Sequence, residues 1–77
     1  MTIEQFQEAW HQRPFRPFTI HMADGRALEV PHPDFMARSK SGRTAIIFRP
    51  EGEGWSVVDL LLMSELEFHN GNGQAAD

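Results

Sequence analysis

The chain has 77 residues, no cysteine and a formal net charge of −4. This length fits one domain, and a domain of this size buries only about 60% of the surface that its unfolded chain exposes, so its core is small. Disulfides, thiolate metal sites and cysteine nucleophiles are excluded. No apolar run approaches the roughly 20 residues that span a bilayer, and the first residues lack the pattern of a secretory signal. We therefore expect a soluble, cytoplasmic protein.

The first predicted element is a short amphipathic helix. Thr2 and Gln5 form a capping-box pattern, and apolar residues recur at helical spacing from Ile3 to Trp10. Pro14 disfavours helical geometry in the residue before it, so the helix ends by then. We expect its apolar face to pack on a sheet.

A β-hairpin follows, with polar and apolar residues alternating through residues 18–22 and again through 28–30. A two-residue turn at Asp24-Gly25 would pair apolar side chains with polar ones. A three-residue loop over 23–25, with Gly25 in the left-handed conformation, instead pairs Ile20 with Leu28 and Phe18 with Val30. The residues that this register leaves on the outer face are Thr19, His21 and Glu29.

The remaining sequence divides into short extended segments separated by proline, glycine and polar clusters. Extended structure resumes at 35–38 after a corner at 31–34. The further predicted strands are 44–48, 55–62 and 65–68, with loops at 39–42 and 50–54 and an interruption at 63–64. The run at 44–48 is continuously apolar and rich in β-branched residues, which predicts a central strand with both faces covered. Residues 69–77 are rich in Gly and Asn, so we expect a disordered tail.

The predicted fold is therefore mainly β, in a single domain over residues 1–68. A short N-terminal helix precedes about five bent antiparallel strands, which close most simply as a small Sm-like or SH3-like barrel. Closure removes the strand edges that would otherwise pair with other chains.

The sequence shows two resemblances, one carried by short motifs and the other by the order of the predicted elements. The run Pro-Phe-Arg-Pro-Phe-Thr-Ile-His at 14–21, followed by Ala-Asp-Gly-Arg at 23–26, resembles a family of small uncharacterised bacterial proteins. The element order is more loosely similar to Sm-like proteins. That resemblance implies rings in which the fourth strand pairs with the fifth strand of a neighbour, here segments 57–62 and 65–68. The Sm-like RNA-binding motifs are not matched, because residues 34–38 read Asp-Phe-Met-Ala-Arg and contain no asparagine.

Metal and catalytic sites have weak support in the sequence. His32 and Asp34 are two residues apart, and with His21 they could ligate zinc or a similar ion, but the flanking prolines already explain this segment as a shaped loop. No serine lies in a nucleophile elbow. We expect no metal, no cofactor and no enzymatic activity.

The charges leave two functions open. Residues 13–49 hold all seven basic residues and only three acids, a net +4, whereas the two ends hold the other eight acids. Solvated charges would explain this, but so would self-association of the basic segment with an acidic end, or nucleic-acid binding. The leading hypothesis is a small module that self-associates or binds a protein, with a possible subunit interface at Val58, Leu60, Leu62 and Leu66. The alternative is weak nucleic-acid binding around residues 38–43, with candidate contacts at Arg16, Arg26, His32, Arg38, Lys40 and Arg43.

Overall fold

A computed structural model describes residues 1–69 of the chain. The elements in these residues are α1 (Ile3–Trp10), β1 (Phe18–Met22), β2 (Ala27–Val30), β3 (Met36–Arg38), β4 (Thr44–Phe48), β5 (Trp55–Asp59) and β6 (Met63–Phe68). Single 3-10 turns at Pro33–Phe35 and Leu60–Leu62 precede β3 and β6. The described part of the chain contains no helix that is both long and apolar enough to cross a membrane.

The strands form two antiparallel sheets of three strands each. Sheet A has the order β2-β1-β6, and sheet B has the order β3-β4-β5. The mainly β fold with an N-terminal helix is thus confirmed, but there are six strands rather than five. The predicted closed barrel is wrong, because no backbone ladder joins the two sheets within residues 1–69. The sheets therefore pack face to face, and each keeps two edge strands.

Helix α1 begins as its capping box predicts. The backbone N–H of Gln5 donates to Thr2 Oγ1, and the backbone N–H of Thr2 donates to Gln5 Oε1, each at 3.1 Å. These two bonds satisfy N–H groups that have no partner inside the helix. Phe6 and Ala9 are buried in the core, as the amphipathic pattern predicts.

The predicted hairpin register is confirmed, with Phe18 paired to Val30 and Ile20 to Leu28. The backbone N–H of Met22 donates to the carbonyl of Arg26 at 2.8 Å, which closes a three-residue loop. Gly25 has φ of 97°, a conformation that side-chain-bearing residues adopt at a cost. The loop therefore holds both apolar strand faces toward the core.

Both bends of the chain are 3-10 turns capped by side chains. His32 Nδ1 accepts from the backbone N–H of Asp34, and Asp59 Oδ1 accepts from the backbone N–H of Leu61 at 2.8 Å. The second cap ends β5 at Asp59, so the predicted strand over 55–62 is too long by three residues. The change of direction at each turn sends the next strand into the other sheet, which is why the sheets do not close.

The core lies between the inner faces of the two sheets, with α1 over one end. Sheet A contributes Phe18, Ile20, Met22, Leu28 and Val30, and sheet B contributes Met36, Ala45, Ile47 and Val58. Burial of each large side chain stabilises the fold by about 1.5–3 kcal/mol. β4 is the central strand of sheet B, but the prediction that both its faces are covered is wrong, because Phe48 on the outer face is 40% exposed.

Of the predicted tail over 69–77, residues 70–77 lie outside the described residues. His69 is described, and its backbone N–H donates to the carbonyl of Pro17 at 2.9 Å. This bond continues the β1–β6 ladder by one residue pair.

Candidate functional site

The outer face of sheet B carries a strip of apolar side chains. The register of β4 and β5 places Phe48 opposite Trp55 and Ile46 opposite Val57. Trp55 is 61% exposed and Val57 is 62% exposed, so neither is covered by the chain that carries it. Contiguous exposed apolar residues of this kind mark interaction surfaces. We call Ile46, Phe48, Trp55 and Val57 the apolar strip.

β5 is also an edge strand with unpaired backbone groups. The backbone N–H of Leu60 donates to the Arg43 carbonyl, and that of Arg49 donates to the Gly54 carbonyl, both at 2.9 Å. Because hydrogen-bonded pairs alternate along an antiparallel ladder, these two bonds show that the even-numbered residues of β5 face β4. The residues whose N–H and C=O groups point away from β4 are Trp55, Val57 and Asp59. Such an edge is a template for another strand.

β6 is an edge strand of sheet A, and the same reasoning gives its free groups. The bond from His69 to Pro17 shows that the odd-numbered residues of β6 hydrogen-bond to β1. The backbone groups of Glu65 and Glu67 therefore face β1. The N–H and C=O groups of Leu66 and Phe68 therefore point outward. Their side chains lie on the inner face of sheet A, since they pair with Ile20 and Phe18.

A groove of about 510 Å³ runs between α1 and the free edge of β6. Its apolar lining includes Ala9, Leu66 and Phe68. Its polar lining includes Gln5 and Glu8 of α1, Gln12 just after the helix, and Ser64 of β6. The guanidinium carbon of Arg16 lies 5.6 Å from the ring centroid of Phe68, at one end of the groove. The groove thus combines an apolar floor with unpaired strand backbone.

The outer face of sheet A is polar and hydrogen-bonded. His21 Nε2 lies 2.8 Å from Glu67 Oε1, and the hydrogen bond from His21 lowers the pKa of Glu67. Thr19 Oγ1 lies 2.8 Å from His69 Nε2. Thr19 is on the outer face, as predicted, but it is only 9% exposed. Most polar groups on this face therefore have partners within the chain.

The predicted interface residues are divided between the core and the surface. Val58 and Leu60 are 4% and 2% exposed, so their side chains are already used in the core of this chain. Leu62 is exposed on the 3-10 turn, and Leu66 lies in the groove. Sequence reasoning missed Trp55 and Val57. The alternation along β5 is visible in the sequence. Which set of alternate side chains faces the core, however, depends on how the two sheets pack.

The predicted basic contacts do not form one cluster. Arg26 is paired with Asp24 at 3.0 Å in the hairpin loop, and Arg16 lies against Phe68. Arg38 is the last residue of β3, and Lys40 and Arg43 lie in the loop between β3 and β4. The side-chain amide of Gln7 accepts from Arg38 at 2.7 Å when its oxygen faces the guanidinium.

The histidines are also separated. His32 Nδ1 lies 3.6 Å from Asp34 Oδ2 at the corner before β3, whereas His21 is bonded to Glu67 on sheet A. Among residues 1–69 there is no group of three potential metal ligands close enough to hold an ion.

In comparisons with protein-family models, curated proteins and solved structures, nothing matches this chain. Its fold and surface define a small two-sheet β domain with an apolar edge strand and an edge groove. Its function is therefore argued from these residues.

Proposed function

We propose that this chain is a small non-catalytic module that self-associates, with β5 of one copy adding to the free edge of β6 in the next. The observation that carries the proposal is the apolar strip, in which Trp55 and Val57 are more than half exposed on a strand with a free backbone edge. Strand addition satisfies such an edge through main-chain hydrogen bonds, and alternate side chains supply specificity.

The outward-facing residues of the β5 edge and of the β6 edge are compatible with one another. In an antiparallel pair, two residues that exchange backbone hydrogen bonds place their side chains on the same face of the sheet. The outward-facing residues are Trp55 and Val57 on β5, and Leu66 and Phe68 on β6. Pairing these edges places the exposed side chains of β5 over the floor of the groove.

The apolar match favours one register. When Trp55 is opposite Phe68, Val57 is opposite Leu66 and Asp59 is opposite the hydroxyl-bearing Ser64. A shift of two residues in either direction places Val57 opposite Ser64 or Asp59 opposite Leu66. Aromatic and β-branched cross-strand pairs each contribute roughly 0.2–1 kcal/mol, so the first register is preferred. The interface is head-to-tail, which generates rings or open chains of copies.

Light scattering of the purified chain over a range of concentrations tests this proposal. We expect oligomers for the wild type, and monomers for Trp55→Lys with an unchanged circular dichroism spectrum. Ala23→Lys is the control, because it adds the same charge at an exposed site of the hairpin loop, outside the strip and the groove. A wild-type chain that is monomeric at every concentration overturns the proposal.

The absence of cysteine allows the register to be tested by engineered disulfides. In the preferred register, Ser56 of one copy is opposite Glu67 of the next as a non-hydrogen-bonded pair. Such pairs have Cα atoms about 4.5 Å apart, within the range of a disulfide. Ser56→Cys with Glu67→Cys is expected to cross-link copies under mild oxidation. Ser56→Cys with Glu65→Cys, which is two residues out of register, is expected to cross-link far less.

The second candidate function is weak nucleic-acid binding through the loop between β3 and β4. It is favoured by Lys40 and Arg43, which are exposed and form no ion pair within the described part of the chain. Titration with labelled single-stranded RNA at low and moderate salt tests it. Salt-sensitive binding that is lost on Arg38→Glu with Arg43→Glu supports this function.

A further inference from the structure

A second opening lies between β2 and the turn that joins β4 to β5. It encloses about 340 Å³, and its lining includes Leu28, Ile47, Arg49 and Ser56. Arg49 lies across Gly54, where a Cβ would come within 3.1 Å of Arg49 Nε. Glu29 and Glu51 also line the opening, yet Arg49 forms no ion pair with any carboxylate in residues 1–69.

The proposed strand pairing has consequences for the other face of β5. In the preferred register, Glu67 of the neighbouring copy is opposite Ser56, and His69 is opposite Gly54. These side chains share the face on which Arg49 lies across Gly54, because the even residues of β5 and the odd residues of β6 are on one side of the joined sheet. Since Gly54 has no side chain, Arg49 has a clear path across β5 to the added strand.

From this juxtaposition we infer that Arg49 of one copy forms an ion pair with Glu67 of the next copy. The inference rests on the proposed self-association, and it adds a charged contact on the face opposite the apolar strip. It also identifies which of the segregated charges meet: a basic residue of the central segment and an acidic residue near the C-terminal end.

The state of Glu67 within one chain suits this role. Its Oε1 is bonded to His21, and no hydrogen bond to its Oε2 is found among the described residues. The carboxylate is ionised at neutral pH, and the hydrogen bond from His21 lowers its pKa further. One oxygen thus remains to accept from a guanidinium, which is a stronger bond than one between neutral groups.

The ion pair disfavours one of the two register slips. A slip of two residues in one direction moves Glu67 from Ser56 to Val58, a buried apolar residue further from Arg49, whereas a slip in the other direction moves it to Gly54, which Arg49 also covers. The apolar strip disfavours both slips, so it sets the register, and the ion pair adds a charged contact on the other face of the joined sheet.

Charge reversal tests the ion pair. Arg49→Glu and Glu67→Arg are each expected to weaken association by about tenfold, a typical size for coupled neighbouring charges. An equimolar mixture of the two variants is expected to regain wild-type association. In alternating head-to-tail order, every junction of the mixture joins an arginine to a glutamate. Circular dichroism of each variant verifies that it remains folded.

The outcomes separate this inference from the proposal beneath it. A monomeric wild type overturns the self-association and the ion pair together. A wild type that forms oligomers, with both single variants as tightly associated as the wild type, overturns the ion pair alone. Variants that are weakened but fail to recover in the mixture also overturn it, because the two charges then act on other partners.

Discussion

The outer faces of the two sheets differ, although both sheets have three antiparallel strands and contribute to the same core. Sheet A presents polar and charged side chains, and His21 with Glu67 shows that they find partners within the chain. Sheet B presents the apolar strip, in which Trp55 and Val57 are more than half exposed. A polar face can stay in contact with water whether or not a partner binds, whereas an exposed apolar face at a strand edge favours a partner. The contrast therefore supports the proposal that the outer face of sheet B takes part in association.

Proline substitution at neighbouring positions of β5 gives the largest expected effect. The backbone N–H of Val58 faces β4, so Val58→Pro removes a ladder bond and is expected to cost about 3 kcal/mol or more, enough to unfold a small domain. The N–H of Val57 points outward, and edge strands tolerate proline there.

Val57→Pro is therefore expected to keep the fold and abolish association. Circular dichroism and light scattering measure the two properties separately. Persistent oligomers of Val57→Pro would show that the free edge of β5 is not the binding edge.

Two adjacent isoleucines on β4 compare the inner and outer faces of sheet B. Ile47 is 2% exposed, so Ile47→Ala is expected to lower the free energy of unfolding by roughly 2–5 kcal/mol. Ile46 belongs to the apolar strip and is only partly buried, so Ile46→Ala is expected to cost less than Ile47→Ala in the isolated chain.

Denaturant unfolding at a concentration below association measures both losses. Equal losses at the two positions would contradict an outer face that is open in the single chain.

The smallest expected effect is on the pH dependence of stability, through the carboxyl of Glu67 on sheet A. The hydrogen bond from His21 is the main cause of the lowered pKa of Glu67, whose ordinary value is 4.5. A carboxyl with a lower pKa in the folded state stabilises the fold above its ordinary pKa. That contribution is lost as the pH falls through the lowered pKa.

Thermal unfolding between pH 7 and pH 3 is therefore expected to show a smaller acid loss for Glu67→Gln than for the wild type. Glu4→Gln, which removes the same charge from an exposed glutamate of α1, serves as the charge-matched control. Superimposable profiles for Glu67→Gln and the wild type would exclude this contribution.

Features set by neighbouring residues could be predicted from the sequence. The capping box of α1, the hairpin register and the left-handed Gly25 each depend on a few adjacent residues, and all three are confirmed. The extra strand and the open arrangement depend on the two 3-10 turns. Leu60–Leu62 has the composition of a strand, and only the cap from Asp59 diverts it.

The candidate interface was harder to predict, because exposure depends on what packs against a face. Alternation places Trp55 and Val57 on one face of β5 and Val58 on the other, but it does not say which face is turned towards the core. The continuous apolar run of β4 predicted cover on both sides. Only the arrangement of the sheets and α1 reveals that the outer side is open.

Gly42 lies where the loop between β3 and β4 meets the first turn of α1, between the two surfaces for which functions are proposed. It lies in the basic loop with φ of 83°, and a Cβ there would approach Ile3 Cγ2 to 3.2 Å. The loop thus rests on the first turn of α1, whose next turns form one wall of the groove. A side chain at position 42 would therefore have to displace the loop or the first turn of α1, the helix that also lines the groove in which a neighbouring strand is proposed to bind.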